Sequence, residues 1–201
     1  VLFTLIPLGM VVWFAFTDES GAFSLDNIRE IGQYLPSFWY SIWVGALSTF
    51  FCLILAYPLA YSISRTGARV QRTMVMIVML PMWMNSLLRI TALKSIIDDN
   101  GLLNRLLEAI GLSPVKLVGT TAAIVLGMVY DFLPFMILPL YSVMTKIDNR
   151  TIEAAQDLGS NSLQVLGRVI LPLSVPGILS GITMVFVPSV STFVVATLLG
   201  N

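Results

Sequence analysis

The chain has 201 residues, of which 57% are hydrophobic and only 11% are charged, and its formal net charge is zero. Soluble domains carry about 25% charged residues, so this chain has too few to cover a water-facing surface. It contains no histidine and a single cysteine, Cys52. This composition excludes an internal disulfide, argues against metal sites and histidine-dependent catalysis, and gives no support for nucleic-acid binding.

Four apolar runs approach or exceed the length of about 20 residues that a membrane-spanning helix needs, and a fifth, at the start of the chain, is a little short. They cover residues 1–16, 38–63, 73–93, 120–144 and 173–199. Their length and lack of alternation favour helices over a β-barrel. We expect one all-α polytopic membrane domain over residues 1–201, with five transmembrane helices and a sixth missing at the C-terminus. A signal peptide is the alternative for the first run, but it has no basic leader and no small-residue cleavage site follows it.

The loops between the runs predict the orientation, because short loops rich in Arg and Lys stay in the cytoplasm. Loop 64–72 contains three arginines and no acid, whereas loop 18–36 contains four acids and one arginine. The first connection is therefore expected outside and the second inside. By alternation, connection 94–116 lies outside, where the pattern LLNRLLEAIGL indicates a short amphipathic helix ended by Gly111. Connection 145–172 lies inside.

Connection 145–172 is polar and has the pattern of two short helices around a turn. Asp148 is a candidate N-cap for the first helix, and Gly159 is predicted to end it in a left-handed conformation. Asn161 or Ser162 is suited to cap a second helix, which Pro172 is expected to interrupt before the last span. Spacing alone leaves an ordinary cytoplasmic loop as an equal interpretation.

The same connection contains Glu153-Ala154-Ala155, then Gly159, Val169 and Leu171-Pro172 at fixed offsets. This spacing resembles the EAA signature of permease subunits of ABC importers, which usually have Ile where Val169 stands and often Ala where Ser160 stands. The resemblance implies that segment 146–172 docks on a separate cytoplasmic ATPase. The residues that it implicates in coupling are Glu153, Ala154, Ala155, Asp157, Gly159, Leu171 and Pro172.

The resemblance extends to essentially the whole chain. The segments LPMWMNSLLRITALK (80–94) and YDFLPFMILPLYSVM (130–144) resemble spans of spermidine/putrescine importer permeases, most closely the B-type subunit. This implies a location in the cytoplasmic membrane of a prokaryote, a homologous second permease subunit, two ATPase subunits and an extracytoplasmic polyamine-binding protein. A related permease for another solute remains an alternative.

The chain has no Gly-rich segment that ends in Gly-Lys-Ser or Gly-Lys-Thr, so it lacks a phosphate-binding loop. We therefore expect no enzyme activity and no cofactor in this chain. The resemblance implies that the partner ATPase binds ATP and Mg.

Asp131 is the only acidic residue inside a predicted span, and an intramembrane carboxylate is by default a functional-site hypothesis. Carboxylates pair with the ammonium groups of a polyamine, and aromatic faces attract cations. Tyr130, Trp83 and Asn85 are further candidates for the substrate pathway, and no metal ligands are expected. The structural alternatives are an interhelical hydrogen bond for Asp131 or Asn85, a lipid-facing or interfacial position for Trp83, and helix packing for the GxxxG of Gly177 and Gly181.

Two other functions remain as alternatives. An ion-coupled secondary transporter could use Asp131 as its coupling site, but no inverted repeat is evident and the EAA segment would have no role. A membrane-embedded enzyme would need a catalytic constellation, and the sequence shows no convincing one.

Overall fold

The computed structural model describes residues 2–17, 26–192 and 194–200, which form helices joined by turns and by one longer connection, residues 110–120. The helices are α1 (Leu2–Ala15), α2 (Asp26–Ser64), α3 (Ala68–Met79), α4 (Ser86–Ile97), α5 (Leu102–Ala109), α6 (Thr121–Met144), α7 (Asn149–Asp157), α8 (Ser162–Val165), α9 (Leu171–Ser191) and α10 (Val194–Leu199). A 3₁₀ segment (Leu80–Trp83) follows α3, and a π-helical turn (Leu166–Ile170) joins α8 to α9. The described chain is all-helical, as the composition predicts.

The chain divides into two compact units between Ile42 and Trp43. In the first unit, α1 is a short apolar helix whose described side chains are mostly exposed. The second unit contains the buried core.

Three helical stretches are long and apolar enough to cross a membrane, namely Tyr34–Ser64, Thr121–Met144 and Ser162–Ser191. The pair Ala68–Trp83 and Ser86–Ala109 is bent by 95° and counts as a fourth crossing if both arms belong to one span. Since α1 is shorter than these, the described residues provide three or four spanning helices. The predicted number of five is therefore not confirmed.

The predicted span 73–93 is divided in the structure, because the chain is extended at Met84 and Asn85. The Asn85 side chain accepts a hydrogen bond from the backbone N–H of Leu87 at 2.8 Å and so caps α4. Asn is a favoured N-cap because its side-chain oxygen satisfies an N–H that has no partner in the first turn. Hydropathy alone does not predict this break, because the side chains on both sides of it are apolar and the N-cap does not change the hydropathy.

The predicted interruption at Pro172 is wrong, because helical structure continues from Ser162 to Ser191. The π-helical turn before α9 lets the N–H of Leu171 bond to the carbonyl of Leu166, five residues earlier. A proline ring normally clashes with the carbonyl four residues before it, and a wider turn relieves that clash. The predicted last span, 173–199, is instead divided after Ser191, where Thr192 is extended.

Helix α2 has a stripe of small buried side chains, two of which contact α6. Ser48, Cys52, Ala56 and Ala60 recur every four residues and are all fully buried. Ser48 Oγ lies 3.4 Å from the sulfur of Met128, and Cys52 Sγ lies 3.8 Å from the carbonyl oxygen of the residue that follows Met128. Small residues at this spacing let two helix backbones approach closely.

Helix α9 packs on the other end of α6 through two buried glycines, Gly177 and Gly181. A Cβ atom on Gly177 would lie 3.0 Å from the carbonyl oxygen of Pro139 and 3.2 Å from Val143 Cβ. A Cβ atom on Gly181 would lie 2.5 Å from the sulfur of Met136. The packing role predicted for this GxxxG pair is confirmed.

We expect Gly177→Val to lower the thermal stability of the purified protein in detergent. Its side chain would push against the backbone of α6, and overpacking of this kind costs about 1–3 kcal/mol. Gly167→Val is the matched control, because a Cβ atom there meets nothing within 4 Å. Equal melting temperatures for the two variants would contradict close packing of α9 on α6.

Candidate functional site

The segment between α6 and α9 forms a helical hairpin of α7 and α8, with Gly159 in its turn. Asp148 caps α7 by accepting a hydrogen bond from the backbone N–H of Arg150 at 3.0 Å. Gly159 has a φ of +84° and donates its N–H to the carbonyl of the penultimate residue of α7 at 2.8 Å. Asn161 and Gln164 form a reciprocal capping box at the start of α8. The predicted cap at Asp148 and the predicted left-handed glycine are both confirmed.

The turn of this hairpin presents two large apolar side chains to the outside. Leu158 is 89% exposed and Leu163 is 78% exposed, and they lie on either side of Gly159. Exposed apolar surface rimmed by polar residues is typical of a protein contact site. The predicted coupling residues that are also exposed are Glu153, Ala154, Asp157, Gly159, Leu171 and Pro172.

Ala155 is the one predicted coupling residue that faces inward. It packs against a small buried cluster of Ile147, Val165 and Ile170. This cluster joins the start of α7 to α8 and to the π-helical turn. The hairpin is therefore held by its own apolar contacts, while the outer face of α7 remains open.

The second candidate region lies around Asp131, near the middle of α6. Its carboxylate forms a buried ion pair with Arg89 of α4, whose side chain is 6% exposed, against 10% for that of Asp131. Arg89 also donates Nη1 to the carbonyl oxygen of Pro81 at 3.0 Å. A buried charge is stable only when it is paired and hydrogen-bonded, so these two contacts explain how both side chains remain inside the protein.

Sequence reasoning missed Arg89. A signal was present, because Arg89 is the only charged residue in the predicted span 73–93. A lone basic residue in one span and a lone acidic residue in another satisfy each other at lower cost than either does alone.

Two of the other predicted pathway residues, Trp83 and Asn85, lie on the elements that meet at Arg89. Trp83 ends the 3₁₀ segment that contains Pro81, and Asn85 caps the helix that carries Arg89. Trp83 is 84% exposed, whereas the amide oxygen of Asn85 is engaged by its own helix. Tyr130 is 42% exposed although its neighbour Asp131 is buried. Among the described residues, no group of three or more His, Cys, Asp or Glu side chains is placed to hold a metal ion.

Comparison with known proteins gives consistent matches over the chain. The family described as "Binding-protein-dependent transport system inner membrane component" matches residues 6–201. The spermidine/putrescine transport system permease protein PotB of Haemophilus influenzae is 38% identical over 100% of this chain and 74% of its own length. PotB of Escherichia coli is 35% identical over 100% of this chain and 77% of its own length. A PotB homolog of Mycoplasma pneumoniae is 31% identical over 100% of this chain and 70% of its own length.

The Arg89–Asp131 pair generates a stability prediction. Arg89→Gln leaves the carboxylate buried without its partner, and losing one member of a buried pair costs about 3–5 kcal/mol. The double variant Arg89→Gln/Asp131→Asn removes both charges and should recover much of that loss, as measured by thermal unfolding in detergent. Arg105→Gln, at an exposed position on α5, should be neutral. Losses that simply add in the double variant would show that the two side chains do not interact.

Proposed function

We propose that this chain, which belongs to the family of binding-protein-dependent transport system inner membrane components, carries polyamines such as spermidine and putrescine into the cell. The chief support for this substrate is the similarity to permeases named for spermidine and putrescine, at 35–38% identity over the whole of this chain. That alignment includes the break before α4 and the Asp131 region of α6. A polycation also suits a pathway that contains a carboxylate and aromatic side chains.

Family membership establishes the general setting of the chain. It is a multi-pass component of the inner membrane, and ATP is bound and hydrolysed by a separate subunit. An extracytoplasmic binding protein and a paired permease complete such a transporter. In finer detail, we propose two ATPase subunits that hold ATP and Mg, a homologous second permease rather than a second copy, and a receptor that delivers polyamines.

The α7–α8 hairpin is proposed as the surface that docks on the ATPase. It presents exposed Leu158 and Leu163 beside the exposed acids Glu153 and Asp157. Its second helix, α8, continues through the π-helical turn into α9, and the three together form the apolar stretch Ser162–Ser191. A displacement of the hairpin would therefore pass directly into a membrane-spanning helix.

Gly159→Val tests this docking role. A β-branched residue at a φ of +84° strains the backbone by about 1–2 kcal/mol, although a Cβ atom there meets nothing within 4 Å. We expect the variant to insert in the membrane normally but to bind the ATPase weakly or to leave ATP hydrolysis uncoupled from uptake. Gly167→Val, in the same segment without a left-handed backbone, is the control. Wild-type coupling in Gly159→Val would count against docking at this turn.

Asp131 is proposed as the carboxylate that the substrate cation meets, with Tyr130, Trp83 and Asn85 along the same pathway. Since Arg89 already occupies the carboxylate, substrate pairing requires an exchange of one cation for another. An ammonium group of the polyamine would replace the guanidinium, so Asp131 would keep a positive partner throughout. This exchange spares the carboxylate the cost of an unpaired charge, whereas the displaced Arg89 guanidinium keeps its bond to the carbonyl of Pro81.

Spermidine uptake into proteoliposomes that contain the full complex separates the two roles of Asp131. If the carboxylate pairs with substrate, spermidine uptake by Asp131→Asn should be at least about tenfold lower than that of the wild type. A tenfold loss corresponds to roughly 1.4 kcal/mol, the size of one lost charge interaction. The double variant with Arg89→Gln should stay equally poor even though its stability recovers. If Asp131 only joins helices, uptake should recover together with stability in the double variant. That parallel recovery would rule out substrate pairing.

A further inference from the structure

Arg65 follows the last residue of α2 and contacts the two elements that meet at the start of the hairpin. Its Nη2 donates to the carbonyl oxygen of Met144, the last residue of α6, at 3.3 Å. Its Nη1 donates to the carbonyl oxygen of Ile147 at 3.1 Å and to Oδ1 of Asn149, the first residue of α7. One guanidinium thus joins the ends of α2 and α6 to the beginning of α7.

The electrostatic setting explains why an arginine suits this position. Carbonyl groups at the C-terminal end of a helix carry partial negative charge, which favours a cation there. The Tyr61 ring lies against the guanidinium, with 5.4 Å between its centroid and Arg65 Cζ. A flat guanidinium with several donors serves diverging acceptors while stacking on a ring, and a lysine ammonium does not.

Beyond this contact, α2 and α7 line a common pocket, and Tyr61 of α2 and Ile152 of α7 pack on the same buried cluster. A cavity of about 310 Å³ lies between Tyr57, Pro58 and Tyr61 of α2 and Ile152 and Gln156 of α7. The later turns of α7 therefore have room to move relative to α2. Its first residue is held at Arg65.

We propose that Arg65 is a positioning residue that fixes the first turn of α7 to the ends of α2 and α6. A push on the hairpin then turns α7 about this fixed end and is transmitted to α6, the central helix of the core. Arg65 acts in this way only if the hairpin docks on the ATPase, as proposed above. Loop charge alone assigns Arg65 no more than a role in membrane orientation, shared with Arg69 and Arg72.

The test compares spermidine uptake with ATP hydrolysis in the same proteoliposomes, containing the complete complex and its binding protein. Arg65→Met should reduce the uptake per ATP hydrolysed by about tenfold, in the range expected for loss of one coupling contact. The uptake per ATP of Arg65→Lys should lie between those of Arg65→Met and the wild type, because an ammonium group can bond to only some of the acceptors that Arg65 contacts. Arg69→Met and Arg72→Met remove the same charge from exposed positions at the start of α3 and should keep the wild-type ratio.

Asn149→Ala provides a second route if Arg65→Met does not assemble. It removes the side-chain acceptor on α7 from an exposed position and should lower the uptake per ATP, whereas Asn149→Asp should preserve it. An unchanged ratio in Asn149→Ala, or equal ratios in Arg65→Met and Arg69→Met, would overturn the proposal.

Glu153→Lys isolates the docking step, because Glu153 makes no contact with the Arg65 site among the hydrogen bonds of the described residues. Normal ATPase binding and coupling in Glu153→Lys would refute docking of the hairpin. If the wild-type complex took up no spermidine, the proposed substrate would be refuted instead.

Discussion

The structure depends on one constraint, which is that a chain crossing lipid must satisfy its backbone hydrogen bonds internally. Long helices meet this constraint directly, and each departure from them in the described residues has a specific compensation. At the break before α4, the Asn85 side chain accepts a free N–H of the first turn, and the Pro81 carbonyl accepts from the backbone N–H of Met84 and from Arg89. At the start of α9, the π-helical turn carries the backbone past Pro172.

These compensations place polar groups where function is proposed. The Pro81 carbonyl, which already accepts the backbone N–H of Met84, accepts a second hydrogen bond from Arg89, and the same side chain neutralises the buried carboxylate of Asp131. At the other region, Arg65 donates to the carbonyl groups of Met144, at the end of α6, and of Ile147, and this contact is proposed to anchor α7. The residues that hydrogen-bond these backbone groups are therefore also residues with proposed roles in transport. The buried glycines of α9 pack on α6 and so connect the hairpin to the core.

Features set by local chemistry could be predicted from the sequence. The cap at Asp148 and the left-handed Gly159 depend on neighbours within a few residues, and the EAA spacing identified the family. Features set by distant partners could not be predicted. The pairing of Arg89 with Asp131 joins residues 42 positions apart. Hydropathy indicates neither the break at Asn85 nor the continuous helix through Pro172. The roles of Asp131 and of the exposed coupling residues remain predictions.

The central claim is that this chain is a permease driven by a separate ATPase that acts through the α7–α8 hairpin. The most direct measurement is spermidine uptake into proteoliposomes of the complete complex, with ATP supplied or withheld and with ion gradients intact or collapsed by ionophores. For a permease driven by an ATPase, we expect uptake that requires ATP and continues when the gradients are collapsed. Uptake that follows an ion gradient and proceeds without ATP would contradict it and would favour an ion-coupled transporter.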